Sequence, residues 1–136
     1  MTPTDPGPPS DRAPVCAIGP DLWFRREPDG VYSIGLTEEA VRRAGRIARY
    51  RGPTEGRQYA ARESAASIES EKWVGHLAVP IDGTVVATNE DAEADPSLVG
   101  RDPLGAGWLY RIRPSDPASL EALALRPMEA SGEPGR

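Results

Sequence analysis

The sequence predicts a mainly β fold, a sandwich or barrel of short strands with a few small helices. Short β-like runs alternate with turn clusters along the body of the chain. Gly and Pro are abundant, 14 and 15 of 136 residues, which favours turns and short strands over long helices. Helical patterning is confined to brief stretches bounded by capping residues. At this length there is room for one small domain with a modest core.

Residues 1–14 hold five prolines and almost nothing apolar, which predicts a disordered Pro-rich tail, placed at 1–16. Leu22-Trp23-Phe24 and Val31-Tyr32-Ser33-Ile34 flank the turn Pro28-Asp29-Gly30 and read as a hairpin. Thr37 is an N-cap with Glu38 and Glu39 in the first turn, where the helix dipole favours anions. Arg42 and Arg43 occupy the last turn, and Gly45 ends the helix. A strand at Ile47–Tyr50 leads to the turn Pro53-Thr54-Glu55-Gly56. Ser67-Ile68-Glu69 then runs into Ser70-Glu71-Lys72-Trp73, and Leu77-Ala78-Val79 resumes the apolar run. Lys72 is therefore expected near the tip of a hairpin. Pro80-Ile81-Asp82-Gly83 turns into a strand at Thr84–Thr88. Asp95-Pro96 opens a short helical turn closed near Gly100, and Asp102-Pro103-Leu104-Gly105 turns into a strand at Trp108–Ile112. Ser115-Asp116-Pro117 caps a C-terminal helix at 117–125, with Leu120, Leu123 and Ala124 on one face. The folded domain is expected at 17–125, followed by a second disordered tail at 126–136.

The net charge of −5 argues against nucleic acid or an anionic membrane as a main partner. No apolar window approaches the ~18 residues of a membrane span, and the first residues lack the basic and apolar regions of a secretory signal. The one cysteine, Cys16, cannot form an internal disulfide, which points to a reduced, cytoplasmic setting. The acidic run Asn89–Asp95 lacks the glycine and the closing Glu of an EF-hand loop and reads as a solvated loop. His76, the single histidine, has one Cys at most as a zinc partner, and nothing orients Cys16 and His76 as nucleophile and base. No Gly-rich phosphate loop and no serine elbow appear, so the chain is not expected to be an enzyme. Trp23, Trp108 and Tyr110 lie on strand-like runs and read as packing residues rather than a stacking platform.

The basic residues are uneven: 15 are Arg and one is Lys, at position 72. A nucleotide bias toward Arg codons accounts for the Arg excess. It does not account for the survivor, because a guanidinium never supplies a neutral, acylatable amine. Lys72 is thus the first place to look for amine chemistry. Glu69 and Glu71 around it read equally as a charged hairpin tip or as groups that a modifying enzyme recognises.

Several segments in register bear a resemblance to a known family. Glu69-Ser70-Glu71-Lys72-Trp73, followed by Pro80-Ile81-Asp82-Gly83, resembles the ESVKA and PxSG segments around the lipoyl-lysine of glycine cleavage system H proteins. Gly35-Leu36-Thr37 resembles their GIT, and Ala44-Gly45-Arg46-Ile47 their LGDI. Gly100–Leu109 is similar to NEDPYGEGWL, and Pro114-Ser115-Asp116-Pro117 to the PSDP before the C-terminal helix. The pattern runs from Gly35 to Pro117 without a gap. The resemblance implies a lipoyl-type flattened β-barrel or sandwich (a barrel-sandwich hybrid) with short helices and a C-terminal helix. It further implies that lipoate is attached covalently to Lys72 by a lipoate ligase or transferase, with Glu69, Glu71 and Trp73 flanking as recognition residues. The arm would swing between the P, T and L proteins of glycine cleavage and carry the aminomethyl group. The chain would then be a carrier without catalysis of its own. Two carboxylates that the family associates with the cleft for the aminomethylated arm are replaced here, by Leu22 and His76. Those replacements keep open a divergent H-like lipoate-binding protein serving a heterodisulfide-reductase-like sulfur-oxidation complex. Trp73, bulky beside the lysine, keeps open an unmodified H-like interaction scaffold.

Overall fold

The protein is described by a computed structural model over residues 15–116 and 118–123. The chain order begins β1 (Val15–Ile18), β2 (Leu22–Arg26), β3 (Tyr32–Leu36), α1 (Glu38–Ala44) and β4 (Ile47–Arg51). It continues through β5 (Gln58–Tyr59), β6 (Ser64–Ser70), β7 (Val74–Ala78) and β8 (Gly83–Thr88). Two short helices, α2 (Glu90–Ala94) and α3 (Ser97–Arg101), precede β9 (Tyr110–Pro114) and α4 (Ser119–Leu123). The strands form two antiparallel sheets, one of order β1-β2-β3-β9-β8-β5 and one of order β4-β6-β7.

The main core lies between the sheets. Phe24, Ile34, Val85 and Ile112 from the larger sheet meet Ile47, Tyr50, Ala66 and Ile68 from the smaller. Alternation sends Ala66 and Ile68 of β6 inward, while a register shift in β4 between Ile47 and Arg49 lets Ile47 and Tyr50, three residues apart, share the inner face. A bulge in β8 between Val85 and Ala87 breaks that alternation. Ala87 joins instead a second cluster with Val15, Trp23 and Trp108. Both faces of the larger sheet are thereby covered, and all five residues of β3 are buried rather than every second one. Trp23 and Trp108 are packing residues, as their strand context predicted. Gly35 makes room for the first of them: a Cβ there would stand 2.4 Å from Cζ2 of Trp23.

The mainly β, two-sheet expectation holds, but the barrel half of it is corrected. No barrel closes among the described residues, because β5 pairs with β8 over two residues only and no ladder joins the two sheets. The expected hairpin at Pro28–Gly30 is present, closed by the Glu27 N–H donating to the Val31 carbonyl at 2.7 Å. β1 opens at Val15, inside the tail expected at 1–16, because Val15 and Cys16 pair with Arg25 and Phe24 of β2. The rest of that tail and the one at 126–136 lie outside the described residues. The acidic run Asn89–Asp95 is corrected from a loop to α2 and its flanks. Asn89 caps the helix, its Oδ1 accepting the Ala92 N–H at 3.2 Å, and three acids lie in the first turn. The last strand runs Tyr110–Pro114 rather than Trp108–Ile112; the Asn89 side-chain amide donates to the Trp108 carbonyl at 2.7 Å. Of the C-terminal helix expected at 117–125, Ser119–Leu123 is described. No helix among the described residues is long and apolar enough to cross a membrane.

Candidate functional site: the Lys72 hairpin and its cavity

The local sequence dictates a rigid tip between β6 and β7. Ser70 closes the turn with both backbone and side chain. Its N–H donates to the Trp73 carbonyl at 2.8 Å, its Oγ donates to the same carbonyl at 3.0 Å, and the Trp73 N–H donates to that Oγ at 3.1 Å. The turn then docks on the end of α1. A helix leaves its last carbonyls without internal partners, and here the Lys72 N–H donates to the Ala44 carbonyl at 3.0 Å. The Glu71 N–H donates to Arg46 O at 3.0 Å, and the Arg46 N–H donates to Glu71 Oε1 at 2.9 Å. Gly45 makes this approach possible, with φ at +79° and no Cβ to collide with Glu71.

α1 is itself anchored. Thr37 Oγ1 accepts the Ala40 N–H at 3.1 Å and donates to the Pro20 carbonyl at 2.8 Å, and the helix ends at Gly45. Both caps are those predicted from the sequence. Arg43 pairs with Asp21 in the turn between β1 and β2. The hydrogen bond that Arg43 donates to Asp21, reinforced by the carboxylate's charge, raises the Arg43 pKa.

The backbone of Lys72 is thus held while its side chain is exposed. Among the described residues no hydrogen bond or ion pair engages its ammonium. Beside it opens a cavity of about 250 Å³, lined by Leu36, Ala40, Ala44, Ile68 and Leu77 with Lys72, Trp73, Asp21 and Arg43. The floor is apolar and the charges stand at the rim. An exposed primary amine on a fixed tip, next to an apolar recess, suits a long acyl group attached by an amide. The residues present therefore fit a lipoyl group on Lys72.

The structure brings three of the four sequence-predicted site residues, Glu71, Lys72 and Trp73, together at the tip. Glu69 lies on β6, exposed, opposite Val74 on one side and Arg49 on the other. Glu71 has a structural partner in the Arg46 N–H, which sequence reading did not reveal. Leu22 is half-buried against the main core, and His76 is exposed on β7 opposite Ser67; neither lines the cavity. Asp21, adjacent to Leu22, does line it. Sequence reading missed Asp21 and Arg43, whose ion pair spans two elements and leaves no local signature. Cys16 on β1 and His76 on β7 stand in different sheets. No group of three or more His, Cys, Asp or Glu residues suited to a metal ion occurs among the described residues.

Comparison with known proteins adds to this geometry. The family model described as "Glycine cleavage H-protein" matches residues 17–131. The "Glycine cleavage system H protein 5" of Aquifex aeolicus is 38% identical over 121 residues, spanning 86% of this chain and 80% of its own. The glycine cleavage system H protein of Alkalilimnicola ehrlichii is 41% identical over 101 residues, 74% of this chain and 78% of its own. The crystal structure of a glycine cleavage system H protein from Mycobacterium marinum superposes with a TM-score of 0.71 at 30% identity, covering 88% of this chain and 92% of that one. Nothing among these three relatives speaks for the sulfur-oxidation alternative. The match over most of the length, together with the fold it accompanies, establishes that the chain belongs to the glycine cleavage H-protein family.

Proposed function

We propose that the chain is a lipoyl carrier of the glycine cleavage system and that Lys72 is its acylated residue. The observation that supports this most directly is the geometry of Lys72: an exposed amine without an ionic partner among the described residues, on a backbone pinned to α1. When bound, lipoate supplies a dithiolane that takes up the aminomethyl group and passes it on, while the chain itself performs no catalysis. Lys72 forms the amide, and the docked turn keeps the base of the arm fixed as its end moves between sites. Such tethering raises the effective concentration of the cargo at each partner. Leu36, Ala40, Ile68 and Leu77 give the arm an apolar place to fold back, worth about 0.8 kcal/mol for each methylene removed from water. Asp21 is the carboxylate at that cavity that can face a cationic amine, in exchange for Arg43.

The partners on this reading are a lipoate ligase or transferase and the P, T and L proteins, in the cytoplasm. Glu69 and Trp73 are the side chains the modifying enzyme meets beside the amine. Glu71 acts from behind by holding the tip in place. Intact mass of protein made in a host with active lipoylation tests the proposal. One added lipoyl group is expected, and Lys72→Arg abolishes it. The lipoylated protein should then support glycine decarboxylation with P, T and L proteins. An unmodified Lys72 under these conditions would leave the scaffold reading standing, and lipoylation without glycine decarboxylation would point to another cargo.

A further inference from the structure

The indole that follows the acceptor lysine occupies an unusual place. Trp73 is 41% exposed, a large apolar ring left partly in water, while Trp23 and Trp108 are buried at 0% and 3%. Its backbone is fixed at both polar groups by Ser70. Its ring lies over Gly75, where a Cβ would stand 2.7 Å from Cζ2, so only glycine leaves the ring where it is. The same ring lines the cavity together with Lys72, Ala44 and Leu77. Its neighbour Val74, 72% exposed, does not line that cavity. Trp73 is therefore an apolar, polarisable wall at the mouth of a recess that the lysine side chain also borders. Divalent sulfur makes favourable contacts with aromatic rings, and an apolar recess favours an apolar group over water.

We propose that Trp73 is a positioning residue for the group on Lys72: its indole receives the dithiolane ring of the oxidised arm and holds it at rest in the cavity between transfers. This rests on Lys72 being lipoylated. The hold is reversible, because the lysine and the indole both remain open to solvent. A disulfide in contact with an indole quenches its fluorescence, which gives a readout independent of glycine cleavage.

The test uses wild type and Trp73 variants lipoylated to completion with excess ligase and verified by intact mass; absence of the lipoyl mass from wild type overturns the Lys72 reading and this one with it. With the mass present, Trp73 emission is obtained by subtracting Trp73→Phe from wild type, each with and without lipoyl. At least a twofold drop on lipoylation is expected. Reduction with a water-soluble phosphine should restore the emission; it breaks the S–S bond, takes oxygen and the two thiol protons from water, and leaves the phosphine oxide. The rate of that reduction reports how sheltered the ring is. Trp73→Ala should speed it several-fold, while Trp73→Phe, which keeps an aromatic wall, stays near wild type. An emission that lipoylation leaves unchanged, or a reduction rate that Trp73→Ala leaves unchanged, overturns the role of Trp73 while the lipoylation of Lys72 stands.

Discussion

Gly45 is where a helix end and the lysine hairpin meet, and two independent constraints fall on it. Its φ of +79° with ψ of −155° lies in a region that is essentially glycine's alone. A Cβ there would also stand 2.7 Å from Glu71 Oε1, the atom that accepts the Arg46 N–H. Gly45→Ala should therefore cost about 1–3 kcal/mol of stability in backbone strain, with displacement of Glu71 in addition. It is expected as a lower urea midpoint at unchanged slope, together with slower lipoylation at Lys72, whose own N–H is bonded to Ala44. A midpoint equal to that of wild type would refute the constraint. Half of this was legible in the sequence. A glycine after a run of helix formers with Arg in the last turn is a stop signal, and a lone lysine among arginines draws the eye to amine chemistry. The rest was not, because the Glu71 contact joins residues far apart in the chain. In sequence Glu71 is one more charge at a turn, while in the fold it is a strut under the tip.

At the level of elements, capping chemistry was the most readable layer, and α1 shows it working. α2 shows the same chemistry overlooked. A run of acids without an apolar stripe looks like a loop, yet Asn89 followed by Glu90 and Asp91 is an N-cap with anions at the positive end of a dipole. Asn89 does more than cap. Its Nδ2 donates to the carbonyls of Ala106 and Trp108, at 2.9 and 2.7 Å, and so ties α2 to the segment that enters β9. Asn89→Ala should lose about 2–4 kcal/mol, from the cap and from two carbonyls left short of a donor. Asn89→Asp separates the two contributions. It keeps the cap acceptor but turns an oxygen toward both carbonyls, so it should be no more stable than the alanine variant despite its better capping residue. Urea melts of both variants decide this; an Asp variant as stable as wild type would mean that the cap alone matters. β1 escaped notice for another reason. Val15–Ile18 is too short and too close to the prolines to read as a strand by itself, and it acquires that character only by pairing with β2.

For the whole molecule, closure is what sequence could not settle, since sandwich and barrel share one alternation pattern and differ only in long-range pairing. The two sheets are joined by their core and by a phenol: Tyr50 of β4 donates from its hydroxyl to the Leu109 carbonyl, just before β9, at 2.7 Å. Burial, with smaller effects from Tyr110 and Glu93, holds the Tyr50 pKa well above its ordinary 10.0, and burial likewise raises that of Tyr110. Both phenols therefore stay protonated in the folded protein at pH values where the unfolded chain has released those protons. Stability from this source is full below pH 10, the unfolded value, and is lost progressively as pH rises from there toward the folded values. Once the unfolded phenols are ionised, each group should remove about 1.4 kcal/mol per pH unit. Tyr50→Phe is then predicted to cross wild type in an instructive way. At pH 7 it should be less stable by about 0.5–1.5 kcal/mol, the net worth of one hydrogen bond, because the Leu109 carbonyl still accepts the Asn89 N–H at 3.1 Å. Above pH 10 its stability should fall with roughly half the slope of wild type, since Tyr110 alone continues to resist ionisation. Urea midpoints from pH 7 to pH 11 for the two proteins test this; parallel slopes on the alkaline side would show that the phenol joining the sheets ionises as readily in the fold as outside it.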